Sequence, residues 1–111
     1  MASTNLSYYD KKLIPNAEGL RFGIVVSEWN VNITENLYQS AHEVLLDNGV
    51  LPEDILRMNV PGSFELTFGA SLIADTTDVD AIITLGSVVQ GETKHFDFIC
   101  QGVSYGISQL N

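Results

Sequence analysis

The residues DAIITLGSVVQG (80–91) join a nearly all-apolar run to a glycine-containing loop, and this stretch decides the fold class. An apolar run of this kind is typical of a strand that is covered on both faces in a parallel sheet. Beyond the loop, apolar residues recur at helical spacing on one stripe, which consists of Phe96, Ile99, Val103, Ile107 and Leu110. The stretch therefore predicts a strand, a loop and a helix in succession.

The same order of elements is predicted twice upstream. Residues 20–27 (LRFGIVVS) form a short apolar run with β-branched residues, and residues 54–60 form a less apolar run that ends at Pro61-Gly62. Each run predicts a strand. Because strand and helix alternate three times with short connections, the sequence predicts an α/β fold with a parallel sheet built from right-handed βαβ units.

The first two predicted helices carry their own boundary signals. In the first helix, Asn32 and Glu35 match a capping box, and Gly49 suits the left-handed position just past the helix end. Its apolar face consists of Ile33, Leu37, Ala41, Val44 and Leu45. In the second helix, Ser63 is the predicted cap. Its apolar face consists of Phe64, Phe68 and Leu72.

The composition is that of one globular domain. The chain has 111 residues, and 45% of them are hydrophobic, which is enough to build a core. Its 5 basic and 14 acidic side chains give a formal net charge of −9, which argues against nucleic acid as a partner because phosphates need basic contacts. Residues 1–19 are polar and predict an N-terminal arm that is ordered only if something holds it, so the predicted domain covers residues 20–111.

Cysteine content and hydropathy limit the class further. Cys100 is the only cysteine, which excludes an intrachain disulfide and a multi-cysteine zinc site, and two distant histidines make a poor metal site. No apolar run approaches the roughly 18 residues that span a bilayer, and the first residues lack the apolar segment of a signal peptide. We therefore expect a cytoplasmic protein without a bound metal and without a membrane partner.

The carboxyl ends of the predicted strands locate the candidate site, because ligands of open parallel sheets bind beyond those ends. The loops there are 27–30, 60–63 and 86–89, and we expect them to converge on one edge. Trp29 is the only tryptophan of the chain. In such a loop it can stack on a flat heterocycle or, alternatively, close the edge of the core.

The starts of the second and third helices supply further candidates. Glu65 is either a ligand contact or a solvated carboxylate of the first helical turn. The 86–91 loop is not a P-loop, because Glu92 stands where the Walker pattern requires lysine. The loop can still offer backbone donors to an anion, and the neutral Thr93 is a better anion contact than Glu92.

The histidines and the cysteine have less specific signals. His95 falls in the first turn of the third helix, where the helix N-terminus favours a neutral imidazole that can exchange protons near neutral pH. A lone histidine, however, is more often structural. His42 is predicted to lie at the surface, and Cys100 is predicted to be a buried, inert thiol.

Three motifs, taken in order and with their spacing, resemble one enzyme family. They are FGIVVSEWN (22–30), VPGSFE (60–65) and LGSVVQGETKHFDFIC (85–100). They are similar to those of 6,7-dimethyl-8-ribityllumazine synthase, a transferase of riboflavin biosynthesis, and the resemblance covers residues 20–111. It implies a flavodoxin-like, three-layer α/β sandwich and a cytoplasmic homo-oligomer, usually a pentamer and often twelve pentamers in a hollow shell.

The resemblance also implies a reaction and a set of site residues. The family condenses 5-amino-6-(D-ribitylamino)uracil with 3,4-dihydroxy-2-butanone 4-phosphate and needs no metal or organic cofactor. His95 would transfer the proton, Trp29 would stack on the pyrimidine ring, and Glu65 would accept hydrogen bonds from ribityl hydroxyls. The full set of implied substrate-binding residues is Trp29, Asn30, Ser63, Phe64, Glu65, Ser87, Val88, Val89, Glu92 and Thr93.

The chain departs from the family at its C-terminal side. Members are longer, and their additional strand and helices lend an aromatic wall, an arginine and a lysine to the site of a neighbouring subunit. By the resemblance, this chain misses its last strand and helices and holds one subunit's half of a shared site. An inactive homologue that binds a flavin-like ligand or serves as an assembly scaffold is the alternative. A flavodoxin-type electron carrier is disfavoured, because SEWN (27–30) stands where a phosphate loop is needed.

Overall fold

The computed structural model describes residues 8–111, and within them strands and helices alternate three times. In chain order the elements are β1 (Phe22–Ser27), α1 (Val31–Asp47), β2 (Ile55–Val60), α2 (Leu66–Thr76), β3 (Ala81–Leu85) and α3 (His95–Gln109). Short 3₁₀ turns lie at Lys11–Leu13, Pro52–Asp54 and Ser63–Glu65. The predicted alternation is confirmed, and each strand begins one or two residues after its predicted start.

The three strands form one parallel sheet in the order β2-β1-β3. Val26 of β1 pairs with Asn59 of β2 and with Leu85 of β3, so the carboxyl ends of all three strands lie at one edge. β2 pairs with one edge of β1, and β3 pairs with the other edge. Because the two crossover connections run in opposite directions across the sheet and are right-handed, they place α1 and α2 on opposite faces of the sheet. Since α3 packs against α2, the helices and the sheet form three layers.

The core lies between β1 and α2. Ile24, Val25 and Val26 of β1 are fully buried, and Val25 belongs to a cluster with Val60, Leu66, Ala70 and Ile73. Burying a side chain of this size contributes about 1.5–3 kcal/mol. A Cβ atom on Gly69 would lie only 2.7 Å from Cγ1 of Val25. The absence of a side chain at residue 69 therefore sets how closely α2 approaches the sheet.

The buried face of α2 is not the predicted one. Phe64, Phe68 and Leu72 are exposed, whereas the buried residues of the helix are Leu66, Gly69, Ala70 and Ile73. Both sets recur at helical spacing, but only the second contains the small residues that permit close packing on the sheet. The predicted face is thus the bulkier of two apolar faces, and the other one packs on the sheet.

The burial predicted for β3 is also wrong for the described residues. β3 forms an edge of the sheet and its residues are half-buried or exposed, whereas β1 is central and almost wholly buried. An edge strand has one neighbour rather than two, so its apolar side chains keep contact with solvent. On α3 the predicted stripe is half-buried except for Leu110, which is exposed.

The capping box predicted for α1 from Asn32 and Glu35 is not formed. The helix begins at Val31 after Asn30, which adopts the left-handed conformation (φ 62°) and makes no side-chain capping bond, so Asn32 lies inside the helix. Glu35 instead accepts two hydrogen bonds from the Arg57 guanidinium, at 2.8 and 2.6 Å. At the other end of the helix, Gly49 has a φ of 99°, which confirms the predicted left-handed position.

The described part of the predicted arm is held against the end of α1. The Ala17 N–H donates to the Asn48 carbonyl at 2.8 Å, and Nζ of Lys11 lies 4.0 Å from the Asp47 carboxylate. These contacts hold the chain just before it enters β1. Residues 1–7 of the predicted arm lie outside the described residues, and the domain boundary at residue 20 stays a prediction.

Candidate functional site

The loops after β1, β2 and β3 meet at the carboxyl edge of the sheet and enclose a cavity of about 360 Å³. The predicted convergence of the three loops is therefore observed. The residues that line the cavity are Trp29, Asn30, Ser63, Phe64, Glu65, Ser87, Val88, Val89, His95 and Ile99. A concave, largely apolar site of this volume, with a few polar groups, suits one small organic molecule.

The loops after β1 and β2 are joined by backbone hydrogen bonds and by the indole ring. The N–H groups of Glu28 and Trp29 both donate to the Pro61 carbonyl, at 3.1 and 2.9 Å. The six-membered ring of Trp29 lies on Gly62, where a Cβ atom would be only 2.6 Å from Cε3. Trp29 is nevertheless 66% exposed, so it does not close the edge of the core. It presents a flat apolar surface to the cavity, as stacking requires.

Ser63 joins the loop after β2 to the loop after β3. Its side chain is buried, and its hydroxyl donates to the Ser87 carbonyl at 3.1 Å. The predicted role of Ser63 as a helix cap is wrong. The Glu65 carboxylate takes that role, since its Oε1 atom accepts a hydrogen bond from the Gly62 N–H at 3.0 Å.

Glu65 is half-buried at the wall of the cavity, so it is not a freely solvated carboxylate. One of its oxygens is used by the bond to Gly62. The other, Oε2, accepts no hydrogen bond from residues 8–111. Glu65 therefore brings one anchored oxygen and one oxygen that is available to a hydroxyl donor.

The third side of the cavity is formed by the loop after β3 and by the start of α3. Ser87 and Val88 are half-buried, Val89 is exposed, and His95 is the first residue of α3 with an exposed ring. Ile99, four residues after His95 and hence on the same side of the helix, also lines the cavity. Ile99 is not among the site residues predicted from the sequence, although its spacing of four residues from His95 was a usable signal.

Two of the predicted site residues do not line the cavity. Glu92 and Thr93 are exposed in the segment that leads into α3. The Thr93 hydroxyl accepts a long hydrogen bond of 3.4 Å from the His95 N–H. Within residues 8–111, the Thr93 side chain is hydrogen-bonded to the cavity wall only through the backbone of His95.

The arginines of the described chain are engaged away from the cavity. Arg57 of β2 is paired with Glu35 of α1, and this guanidinium lowers the pKa of the Glu35 carboxyl from its usual value through a hydrogen bond, with a smaller charge contribution. Arg21 is paired with Asp54 and Asp78 at the opposite, amino-terminal end of the sheet. Because neither lysine nor arginine is among the lining residues, the cavity itself suits an uncharged ring better than a phosphate.

Alternative functional sites would have to lie among the described residues outside this cavity. A second cavity of about 510 Å³ lies between α2, β3 and the end of α3, and none of the predicted site residues lines it. Across residues 8–111, no three side chains of the His, Cys, Asp and Glu types are grouped so that they could hold a metal ion. No helix in this part of the chain has the length and apolar character needed to cross a membrane.

Comparisons with known proteins give one consistent family. The family model described as 6,7-dimethyl-8-ribityllumazine synthase matches residues 19–111. Among curated proteins, the 6,7-dimethyl-8-ribityllumazine synthase of Flavobacterium johnsoniae is 61% identical over 107 residues, which cover 96% of this chain and 56% of the relative. The enzymes of the same name from Christiangramia forsetii and Parabacteroides distasonis are 57% and 54% identical and are covered over 64% and 69% of their lengths. The chain thus spans between about half and two thirds of the length of these relatives.

Proposed function

The chain belongs to the 6,7-dimethyl-8-ribityllumazine synthase family, and from this premise we propose that it takes part in the condensation of 5-amino-6-(D-ribitylamino)uracil with 3,4-dihydroxy-2-butanone 4-phosphate. One observation carries the proposal. Nine of the ten residues that line the cavity are residues that the three sequence motifs assign to the site. Independent positions in three loops thus meet at one cavity whose chemistry suits the heterocyclic substrate.

Each part of the cavity has a proposed role. The indole of Trp29 stacks on the pyrimidine, and the available oxygen of Glu65 accepts hydrogen bonds from ribityl hydroxyls. The backbone of Ser87, Val88 and Val89 faces the polar edge of the ring. Phe64 and Asn30 complete the walls around the heterocycle.

The proposed chemistry needs positioning and proton transfer. The amine of the uracil attacks the ketone carbonyl of the second substrate, and loss of water forms an imine. Phosphate then leaves, and ring closure with loss of a second water gives the lumazine. His95, at the cavity wall, exchanges the protons of these steps. Much of the rate enhancement would come from holding the two partners together in one site.

The phosphorylated partner is proposed to bind beside the start of α3. Backbone N–H groups at the beginning of a helix attract anions, and Glu92 and Thr93 directly precede this helix. We expect Thr93 to contribute its hydroxyl and Glu92 its backbone, because the Glu92 carboxylate would repel a phosphate. Positive charge for the phosphate has to come from outside the lining residues.

A homo-oligomer, as the family resemblance implies, completes the proposal. Phe64 and Phe68 of the loop and helix beside the cavity are 58% and 67% exposed. Large apolar side chains grouped in this way are typical of an interface, and identical subunits usually associate with closed symmetry. Sedimentation should therefore show a species with several times the mass of one chain, and Phe68→Glu should dissociate it. We also propose a cytoplasmic location, as the family resemblance implies.

Ligand binding and turnover test the proposal together. Trp29 is the only tryptophan, so its fluorescence reports occupancy of the cavity when 6,7-dimethyl-8-ribityllumazine is added. Trp29→Ala should weaken binding of this product by about 1 kcal/mol or more, measured by the fluorescence of the ligand itself. Tyr105→Ala, which truncates an exposed aromatic residue away from the cavity, is the matched control. Binding without turnover would favour the inactive homologue, and absence of both would refute the proposal.

A further inference from the structure

Ser63 lines the cavity, yet its hydroxyl is directed into the protein. The side chain is only 6% exposed, and its one hydroxyl proton is donated to the Ser87 carbonyl at 3.1 Å. A hydroxyl has a single proton to donate, so this donor is not available to a ligand. Ser63 therefore cannot donate this proton to a substrate, which points to a different role for its side chain.

The Ser63–Ser87 hydrogen bond fixes a peptide group of the loop after β3. In a trans peptide the carbonyl of one residue and the N–H of the next point in opposite directions. Holding the Ser87 carbonyl therefore also sets the direction of the Val88 N–H. This N–H donates to no acceptor within residues 8–111, although Val88 lines the cavity. It is a free donor whose direction depends on Ser63.

Gly86 is part of the same arrangement. A Cβ atom at this residue would lie 2.5 Å from Oγ of Ser63 and 2.7 Å from Cδ1 of Leu66. Such distances are too short for any real contact, so the strand end and the 3₁₀ turn can approach only because residue 86 has no side chain. The hydroxyl of Ser63 thus occupies space that a side chain on residue 86 would otherwise fill.

We propose that Ser63 is a positioning residue, which holds the Ser87–Val88 peptide so that the Val88 N–H meets a carbonyl oxygen of the heterocyclic ligand. This inference rests on the proposed function for the identity of the ligand. It assigns Ser63 an indirect role in place of the direct substrate contact that the family resemblance implies. The phosphorylated partner does not use this donor, so the two substrates depend on Ser63 to different extents.

Three variants of the full chain test the proposal. Ser63→Ala removes the hydrogen bond, Ser63→Thr keeps a hydroxyl, and Ser108→Ala is the matched control. The Ser108 hydroxyl also donates to a carbonyl, that of Tyr105 at 2.8 Å, but at the far end of α3. We expect Ser63→Ala to weaken binding of 6,7-dimethyl-8-ribityllumazine by about five- to tenfold and to leave the KM for the phosphorylated substrate unchanged. Ser63→Thr should restore most of the affinity, and Ser108→Ala should change neither constant.

Gly86→Ala provides an independent route to the same defect. The new side chain pushes Ser63 and the loop apart, so binding of the lumazine should weaken as it does in Ser63→Ala. Because both changes act through one hydrogen bond, their effects should not add in the double variant. Fully additive losses would overturn the proposal.

The remaining outcomes separate this proposal from the proposed function. Amide order parameters of Ser87 and Val88, measured without ligand, should fall in Ser63→Ala, and unchanged values would overturn the positioning role whatever the ligand is. Equal losses for both substrates together with a lower Tm would overturn it in favour of a merely structural role. Failure of the unaltered protein to bind the lumazine, with the order parameters falling as expected, would instead overturn the proposed function.

Discussion

Replacing Gly62 with alanine would test how the site holds its tryptophan. The backbone of Gly62 is extended (φ −133°, ψ −179°), so an L-amino acid fits there without backbone strain. The N–H that donates to Glu65 is also retained. The added methyl group would, however, lie 2.6 and 2.8 Å from Cε3 and Cζ3 of Trp29. The three atoms nearest to the new methyl group all belong to the indole ring, so the perturbation acts mainly on that ring.

The size of the effect follows from these distances. Carbon atoms in contact are separated by about 3.5–4.0 Å, so the ring has to retreat by about 1 Å. Because Trp29 is 66% exposed, the ring can move toward solvent, and we expect a loss of less than about 1 kcal/mol in the free energy of unfolding. An aromatic pair in good geometry contributes about 0.5–1.5 kcal/mol, so losing the stacking should raise the Kd for 6,7-dimethyl-8-ribityllumazine about two- to twelvefold.

The assay combines ligand titration, the emission spectrum of Trp29 and thermal unfolding. Gly91→Ala is the control, because a Cβ atom on Gly91 has nothing within 4 Å in this structure. The control should leave all three readouts unchanged. An unchanged Kd and an unchanged spectrum in Gly62→Ala would refute the inference that Trp29 rests on Gly62 at the binding surface. A large fall in Tm would show that the ring is held in place and cannot retreat.

Three further predictions concern proton transfer, charge and the core. His95→Ala should lower kcat at least tenfold while leaving the Kd for the lumazine nearly unchanged. An equal loss of binding would show that His95 has a structural role. His42→Ala in α1 is the control. Glu35→Gln should destabilise the protein at neutral pH but not in acid. The arginine partner lowers the Glu35 pKa from its usual 4.5, so the stabilisation is complete above that pH and is lost as the pH falls through the native pKa. Urea unfolding at several pH values checks this, and parallel curves for the two proteins would contradict it. Ile73→Ala, at a fully buried position, should lower the free energy of unfolding by about 2–5 kcal/mol, whereas Leu72→Ala on the exposed face should cost far less.

The order of the elements and the place of the site could be predicted from the sequence for simple physical reasons. The run Ile24–Val26 is apolar and β-branched, and it is fully buried in the structure. In a parallel sheet, carboxyl ends share one edge, so Trp29, Ser63 and Val88 had to lie near one another once their strands were paired. This inference required the order of the elements but not their contacts.

The misassigned details depended on partners that are distant in sequence. Ser63 has the residue type and position of a cap, but the Ser87 carbonyl, 24 positions away, takes its hydroxyl. Glu35 matches a capping box, but Arg57, 22 positions away, binds its carboxylate. A local sequence pattern indicates only which hydrogen bonds a residue can form within its own helical turn. In the folded chain, a hydrogen-bond partner from another strand, helix or loop can replace the local one.

The hydrogen bonds that join the three loops also determine the order in which the cavity can form during folding. Trp29 bonds to Pro61 and Ser63 bonds to Ser87, so no short segment of the chain contains the whole arrangement. Contacts between distant segments form only after the intervening chain has been closed into a loop, which makes them late events. The cavity should therefore arise in the same step in which β3 pairs with β1. A ligand that occupies it would stabilise all three strands together, so thermal loss of binding and loss of the sheet should coincide.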